Sequence, residues 1–515
     1  MLMQAQLRTG SGRLGPFSSA APRHSYPGSI GTRISPSGST LRDHLECPRG
    51  LGALARAPHT GAAGGAPCGD VIRVSVRLAG DRVVEAGFEA RGCAAARGAG
   101  SAAVELVRDA PLLEAALITP AAITAELGGL SASAVHAAEL AADALHRALG
   151  LAARDGAAHL EPSSDRTLIA MSGGVDSAAA AQLALDAGED AVAVTLELWS
   201  DPATDGEQSC CSPQAVRGAR ALAHQMGVPH LTLDLRDHFA GHVVADFLDG
   251  YARGTTPNPC VRCNGGVRFE AMLELAGRLG ARRLVTGHYA RIAGDERGPL
   301  VRAAADPRKD QSYVLARLTG DQLARLRFPL GELSKPRVRE LAEAAGLPVA
   351  HKAESQDLCF LAGTNARAFL SRHRGPAAGD PERGGEIVDR AGTVLGRHDG
   401  QEGFTVGQRR GIGVASPEPL FVLAKDARRN RVVVGPKQAL ATDRVILGEA
   451  RLHRAATSVD GARLRYHSPA VPCSARTRRA GAQLCLERAV TRPAPGQIAC
   501  LMRGELVVGW GTVAA

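Results

Sequence analysis

The stretch best suited to chemistry is Ser172-Gly173-Gly174-Val175-Asp176-Ser177, which follows the apolar run 167–171 and opens a helix-like run at 178–188. A buried strand, a turn of small residues and a helix start leave backbone N–H groups unpaired and add the positive helix end, so the turn is an anion site suited to a phosphate chain. No Gly-Lys-Ser/Thr follows the glycines and the GxGxxG spacing is absent, which separates the loop from Walker and dinucleotide sequences. A second group is Cys68, Asp70, Cys93 and His136, each near the end of an expected element. Thiolate, carboxylate and imidazole together suit zinc or iron. A third is Cys260-Val261-Arg262-Cys263, compatible with zinc or with a redox dithiol.

The elements that must position these groups follow from period and punctuation. Residues 71–78 alternate, 79–82 form a turn and 83–89 a second strand, which predicts a hairpin; helical runs follow at 94–107 and 133–149. Residues 151–165 read as a linker. Strands at 167–171, 191–198 and 230–235 then alternate with helices at 178–188, 213–227 and 239–253, the pattern of a parallel sheet with ligands outside the carboxyl ends of its strands. The phosphate loop lies at such an end. Residues 256–264 carry two prolines and are expected to stay extended and present their side chains, ahead of a helix at 266–280; residues 309–313 open a further helix.

Beyond 372, short alternating segments at 385–389, 392–396 and 421–425 predict a small β-rich domain with a basic turn at 407–411. Strand-like runs at 444–452, 462–466, 483–490 and 505–513 predict an antiparallel barrel with Cys473, Cys485 and Cys500 in its core. The fold class is therefore multidomain. It comprises a disordered tail (1–43), an α+β scaffold-like domain (44–150), an α/β domain with a parallel sheet (166–372), a central β-rich domain (373–440) and a C-terminal antiparallel β-barrel (441–515).

Composition narrows the function classes. The chain has 515 residues, 61 basic against 52 acidic and a net charge of +9, which permits a polyanionic partner such as nucleic acid. No apolar run reaches about 18 residues, so no membrane helix is expected. Eleven cysteines, an odd number, fit a reducing, cytoplasmic setting rather than a disulfide scaffold. Residues 1–42 hold five Arg and no acidic residue, the composition of a transit peptide, of a disordered tail or of a start codon placed too early.

The loop 172–177 resembles the SGGxDS loop of PP-loop ATP pyrophosphatases. With TPNPCVRCN at 256–264, TGHYAR at 286–291, KDQSY at 309–313, SQDLCF at 355–360 and GFTVGQRRG at 403–411, residues 163–515 resemble tRNA-specific 2-thiouridylases. That resemblance implies ATP and Mg2+ at Ala170, Met171, Ser172, Gly173, Gly174, Val175, Asp176, Ser177, Leu196 and Gly287, with Asp176 helping to hold the ion. It implies a persulfide on Cys359 and a second nucleophile at Cys263. It also implies tRNA contacts at Asn258, Pro259, Cys260, Lys309, Asp310, Gln311, Arg465 and Tyr466, and a persulfide donor such as a cysteine desulfurase or sulfur relay protein.

Some members carry Asp where this chain has Cys260, so Cys260, Cys263 and Cys359 offer either a persulfide pair or ligands for an iron–sulfur cluster. Residues 44–150 resemble NifU/IscU-type iron–sulfur scaffolds through Cys68-Gly69-Asp70, Gly92-Cys93 and His136, with Ala137 where that family has its third cysteine. The resemblance implies Zn2+ or an iron–sulfur species on Cys68, Asp70, Cys93 and His136, or a docking module for a sulfur donor. The expected activity is ATP-dependent 2-thiolation of a tRNA wobble uridine. Its rivals are a sulfur or iron–sulfur carrier with a vestigial ATP site, and a PP-loop enzyme acting on a small molecule.

Overall fold

A computed structural model describes residues 38–55, 59–64, 68–201, 212–353, 358–361, 363–373 and 384–514. Residues 1–37 of the expected tail and 355–357 of the SQDLCF motif lie outside the described residues. The tail expected to reach residue 43 ends earlier, because Thr40 and Asp43 form a reciprocal capping box that starts the helix Leu41–Glu46.

The predicted hairpin is present as Val71–Ala79 and Arg82–Arg91, extended to three antiparallel strands by His59–Gly64. That first strand, His-Thr-Gly-Ala-Ala-Gly, has one β-branched residue and two glycines, so it carries almost no strand signal. Helix Ala94–Val107 matches its predicted bounds. The next helix, Val135–Arg154, runs past the predicted end at 149, and the following strand starts at Ser163, so the expected linker shrinks to 155–162. Gly150 makes a close contact: a Cβ there would lie 1.9 Å from the Thr232 carbonyl oxygen.

That contact defines the architecture. Helix Val135–Arg154 is buried almost all round, through Ala138, Ala141, Leu145, Leu149 and Ala152 among others. One side meets the N-terminal sheet so closely that a Cβ on Gly61 would lie 2.0 Å from the Ala144 carbonyl oxygen. The other side meets His230–Asp234, the edge strand of the parallel sheet. One apolar cluster runs from Val74 and Phe88 through Leu145 and Leu149 to Leu231, Leu233 and Phe247. The two modules share a core.

The parallel sheet has the order Leu326–Arg327, Ala281–Thr286, Ser163–Ala170, Asp190–Glu197, His230–Asp234. The strand order reverses beside Ser163–Ala170, and the crevice at such a switch point is where ligands bind. The central domain is a four-stranded sheet in which Gly385–Val388 pairs parallel with Arg431–Gly435 and antiparallel with Val394–His398.

Six antiparallel strands, Ala441–Leu452, Ala482–Thr491, Val471–Thr477, Gly461–Arg463, Ile498–Arg503 and Leu506–Val513, close into a barrel through the pairing of first with last. Val471–Thr477 and Ile498–Arg503 are strands the sequence pattern did not mark; they bury Cys473 and Cys500, while Cys485 is half-buried. The hairpin Arg291–Asp295 and Gly298–Arg302 of the parallel-sheet domain joins the barrel where Arg302 faces Leu506, and Arg454 and Arg503 both pair with Asp295. Among the described residues no helix is long and apolar enough to cross a membrane.

Because the helix is common to both modules, Gly150→Ala should lower stability by about 1–3 kcal/mol. Calorimetry should then show the N-terminal and parallel-sheet modules melting in one transition at a lower temperature than in the unaltered chain.

Candidate functional site

The phosphate loop leaves the carboxyl end of Ser163–Ala170 and enters helix Val175–Asp186, with Gly174 as its extended cap residue. Gly173 has φ of +68°, a conformation that favours glycine. The Ser177 hydroxyl accepts from the Ser172 N–H at 3.1 Å and donates to the Gly174 carbonyl at 3.0 Å, closing the turn on itself. Gly287 lies against the helix start, where a Cβ would be 2.8 Å from the Ser177 nitrogen. Every predicted nucleotide residue from 170 to 177 except Gly173, together with Leu196 and Gly287, lines one cavity of about 870 Å³. A space of that size admits a nucleotide with part of a second substrate.

Charge in the cavity is arranged around Asp176. Lys335 Nζ lies 2.7 and 2.8 Å from its two carboxylate oxygens, and the Tyr289 hydroxyl donates to it at 2.7 Å. Lys352 Nζ donates to the Gly173 carbonyl at 2.9 Å, and Arg268 lines the same wall. Burial, with Arg268 nearby, pulls His288 down to about 3, so this ring is neutral. The result is a cavity with lysine and arginine set beside a nest of N–H groups, suited to a polyphosphate. Lys335, Lys352 and Arg268 were missed by sequence reasoning. Lys335 lies 159 residues from Asp176, and its Ser-Lys-Pro context reads only as a helix start.

The second substrate side is built from separate pieces. The 256–264 stretch, expected to be extended, instead contains a helical turn, Pro259–Cys263. Proline at a first helical position is pre-organised for it, and Asn258 Oδ1 accepts from the Val261 N–H at 3.2 Å. Pro259 and Cys263 are consequently buried, while Cys260 is exposed. The Tyr466 ring lies 5.8 Å from that of Tyr313, whose hydroxyl donates to the Ile498 carbonyl at 2.6 Å. Burial, and charge at Cys260 and Asp310, push Tyr466 up to about 12, so it stays a neutral donor.

Cys263 lies within the large apolar cluster and half-buried Cys359 packs against it. Phe360 anchors that segment between Phe247 and Phe369, at 5.1 and 5.0 Å between ring centres. Lys309, Gln311 and Tyr466 line the nucleotide cavity. Gln311 also accepts from the Tyr289 N–H at 2.8 Å.

Asp310 departs from its expected role as a tRNA contact. It is 6% exposed and accepts from the Ala304 N–H and the Ser312 hydroxyl at 2.8 and 2.7 Å, with Arg463 paired to it. It is a buried brace between the catalytic domain and the barrel. Arg465 is exposed two residues beyond the strand Gly461–Arg463, which is shorter than predicted, and its guanidinium faces the turn at Gly407.

In the N-terminal module, donor atoms of Cys68, Asp70 and His136 lie within 4.8 Å of one another. Cys93 joins through Asp70: its thiol donates to Asp70 Oδ2 at 3.1 Å, and His136 Nε2 is 3.2 Å from the same oxygen. The Cys93 thiol and N–H, with the His136 ring, hold the Asp70 carboxyl below its ordinary range. All four predicted ligands therefore meet at Asp70, while Ala137 is fully buried in the alanine-rich core.

Three family models match the chain: a NifU-like N terminal domain at 39–153, a tRNA methyl transferase HUP domain at 165–363 and a tRNA methyl transferase PRC-barrel domain at 367–436. The bifunctional protein NifU/MnmA of Rubrobacter xylanophilus is 42% identical over 490 residues, covering 93% of this chain and 98% of that protein. The tRNA-specific 2-thiouridylase MnmA of Geobacter metallireducens is 43% identical, covering 69% of this chain and 98% of its own. That of Rhodospirillum centenum is also 43% identical, covering 68% and 92%.

Lys335→Met removes the cation that orients Asp176 in the phosphate loop. ATP-dependent pyrophosphate release should fall by roughly 10²–10³-fold, measured by a coupled phosphate assay at saturating tRNA, with the melting temperature followed in parallel.

Proposed function

Since the chain belongs to the family of bifunctional NifU/MnmA proteins, we propose how its own residues carry out tRNA 2-thiolation. It is a tRNA-uridine 2-sulfurtransferase that uses ATP, with a NifU-like module on the same chain. The observation that carries the residue assignments is the cavity that gathers residues 170–172, 174–177, Leu196 and Gly287 with Lys309, Gln311 and Tyr466.

ATP lies with its phosphates on the 172–177 loop. The C2 oxygen of the wobble uridine attacks the α-phosphorus, the α–β bridging bond breaks, and pyrophosphate leaves into the N–H nest between Lys352 and Arg268. Asp176 is the residue that would hold Mg2+ together with phosphate oxygens; the ion supplies charge neutralisation on the polyphosphate. Adenylation turns a poor leaving group into AMP.

The base reaches the cavity by leaving the anticodon stack, and Tyr466 offers it a neutral face and hydroxyl. Asn258, Pro259 and Cys260 belong to the segment that meets the base, and Lys309, Gln311 and Arg465 contact the tRNA backbone. The outer sulfur of a Cys359 persulfide then attacks C2 and AMP departs, leaving C2 joined to Cys359 through a disulfide; the Cys263 thiolate attacks the Cys359 sulfur, 2-thiouridine leaves, and the Cys263–Cys359 disulfide is reduced by an external thiol. Alternatively, Cys263 attacks the Cys359 sulfur, hydrosulfide attacks C2, and the resulting Cys263–Cys359 disulfide is reduced by an external thiol. The persulfide is supplied by a cysteine desulfurase or sulfur relay protein, in a reducing cytoplasmic compartment.

The N-terminal donors Cys68, Asp70, Cys93 and His136 suit zinc or an iron–sulfur species, since two thiols, a carboxylate and an imidazole converge. A shared core supports a fixed place for this module beside the thiolation site.

Two outcomes are expected. In tRNA incubated with ATP and a persulfide donor, mass spectrometry should find 2-thiouridine with the unaltered chain and none with Cys359→Ala, which should keep its tRNA-dependent pyrophosphate release. Thiolation by neither protein would favour a carrier role. Separately, Asp70→Ala should weaken zinc binding by about 10–100-fold, read by competition with a chromophoric chelator.

A further inference from the structure

We infer that Arg147, a residue of the NifU-like module, is a positioning residue for the nucleotide site of the other module, acting through Glu197. The inference rests on the ATP reading of the 172–177 loop.

Asp143, His146 and Arg147 are spaced i, i+3 and i+4 on helix Val135–Arg154, so they share one face. Each reaches a different element around the nucleotide cavity. Arg147 Nη2 donates to Glu197 Oε1 at 2.6 Å, while Nη1 donates to the Ala62 carbonyl at 2.6 Å, which locks the guanidinium between the two modules. Glu197 ends strand Asp190–Glu197, and its neighbours Leu196 and Leu198 both line the cavity. Side chains alternate along a strand, so a grip on Glu197 from behind fixes the wall in front.

His146 faces the His230 carbonyl at 3.1 Å; His230 Nε2 meets the Thr195 hydroxyl at 2.8 Å, and that hydroxyl donates to the Met171 carbonyl at 2.8 Å, one residue before the loop. Asp143 pairs with Arg220, a 4%-exposed residue of helix Pro213–Gln225, whose early residues Gln214 and Ala215 also line the cavity.

Arg147 is the member of this face whose loss has the clearest consequence. Glu197 is 3% exposed, and its other oxygen finds no hydrogen bond among the described residues. Burial raises the Glu197 carboxyl and Arg147 is the first group that holds it down. Without that guanidinium the carboxylate is a buried charge without its partner, and the strand end must shift or take up a proton.

The test uses the full chain. Binding of a non-hydrolysable ATP analogue is titrated calorimetrically for the unaltered chain, Arg147→Met, Glu197→Gln and the double variant, with tRNA binding and melting temperature measured on each. Arg147→Met should weaken the analogue about tenfold and leave tRNA affinity unchanged. The double variant should lose less than the two single losses combined, because no charge is then left unpaired. If Arg147→Met does not fold, Arg147→Lys keeps the charge but loses the two-pronged grip and should still weaken the analogue.

A lower melting temperature with unchanged analogue affinity would overturn the inference and reduce Arg147 to a structural residue. An unaltered chain that binds the analogue but forms no 2-thiouridine would refute the proposed function instead, and the Arg147 titration would still decide this inference.

Discussion

Close approach of one alanine- and glycine-rich helix to two sheets at once is the constraint on which the molecule depends. Gly150 against Thr232 and Gly61 against Ala144 leave no space for a Cβ on either side of Val135–Arg154. A helix in that place must be small-sided where it meets each sheet, with its bulk from a few leucines among many alanines and its polar residues Asp143, His146 and Arg147 paired across the contact, as they are here. Fusion of two modules by a flexible linker would leave each with its own core; here the core is continuous, and movement of one module would open the other.

A second constraint is electrostatic. The phosphate loop brings Asp176 to the start of a helix, and Lys335, with its side chain 10% exposed, answers that carboxylate. The pair gives the site a defined arrangement before nucleotide arrives. A polyphosphate adds several negative charges next to Asp176, and the Lys335 charge offsets part of that repulsion. The same logic governs Asp310, whose burial requires both Arg463 and three hydrogen-bonding groups around it.

What was legible in the sequence divides along physical lines. Strands with alternating or continuous apolar runs, such as Val71–Ala79 and Asp190–Glu197, were readable because burial pattern and sequence pattern coincide. The strand His59–Gly64 was not, since its glycines serve contact with a helix rather than strand propensity. Cavity-lining residues within motifs, such as Ser172 and Gly287, could be found locally, but Lys335 and Arg147 are joined to that region only by topology. Asp310 shows the reverse limit, since a motif position says nothing about which way its side chain points. The expectation that Pro259 keeps its loop extended failed because the same fixed φ also suits a first helical turn.

Synthesis runs from the N-terminus, and the order of the elements gives it a timing problem. His146 contacts His230 across 84 residues of chain. At roughly 5–20 residues per second, the helix waits about 4–17 seconds on the ribosome before its edge strand is made. During that interval the face that later grips the nucleotide domain is available to chaperones or to another nascent copy. The tight fit that unites the finished protein is thus its point of exposure while it is being born.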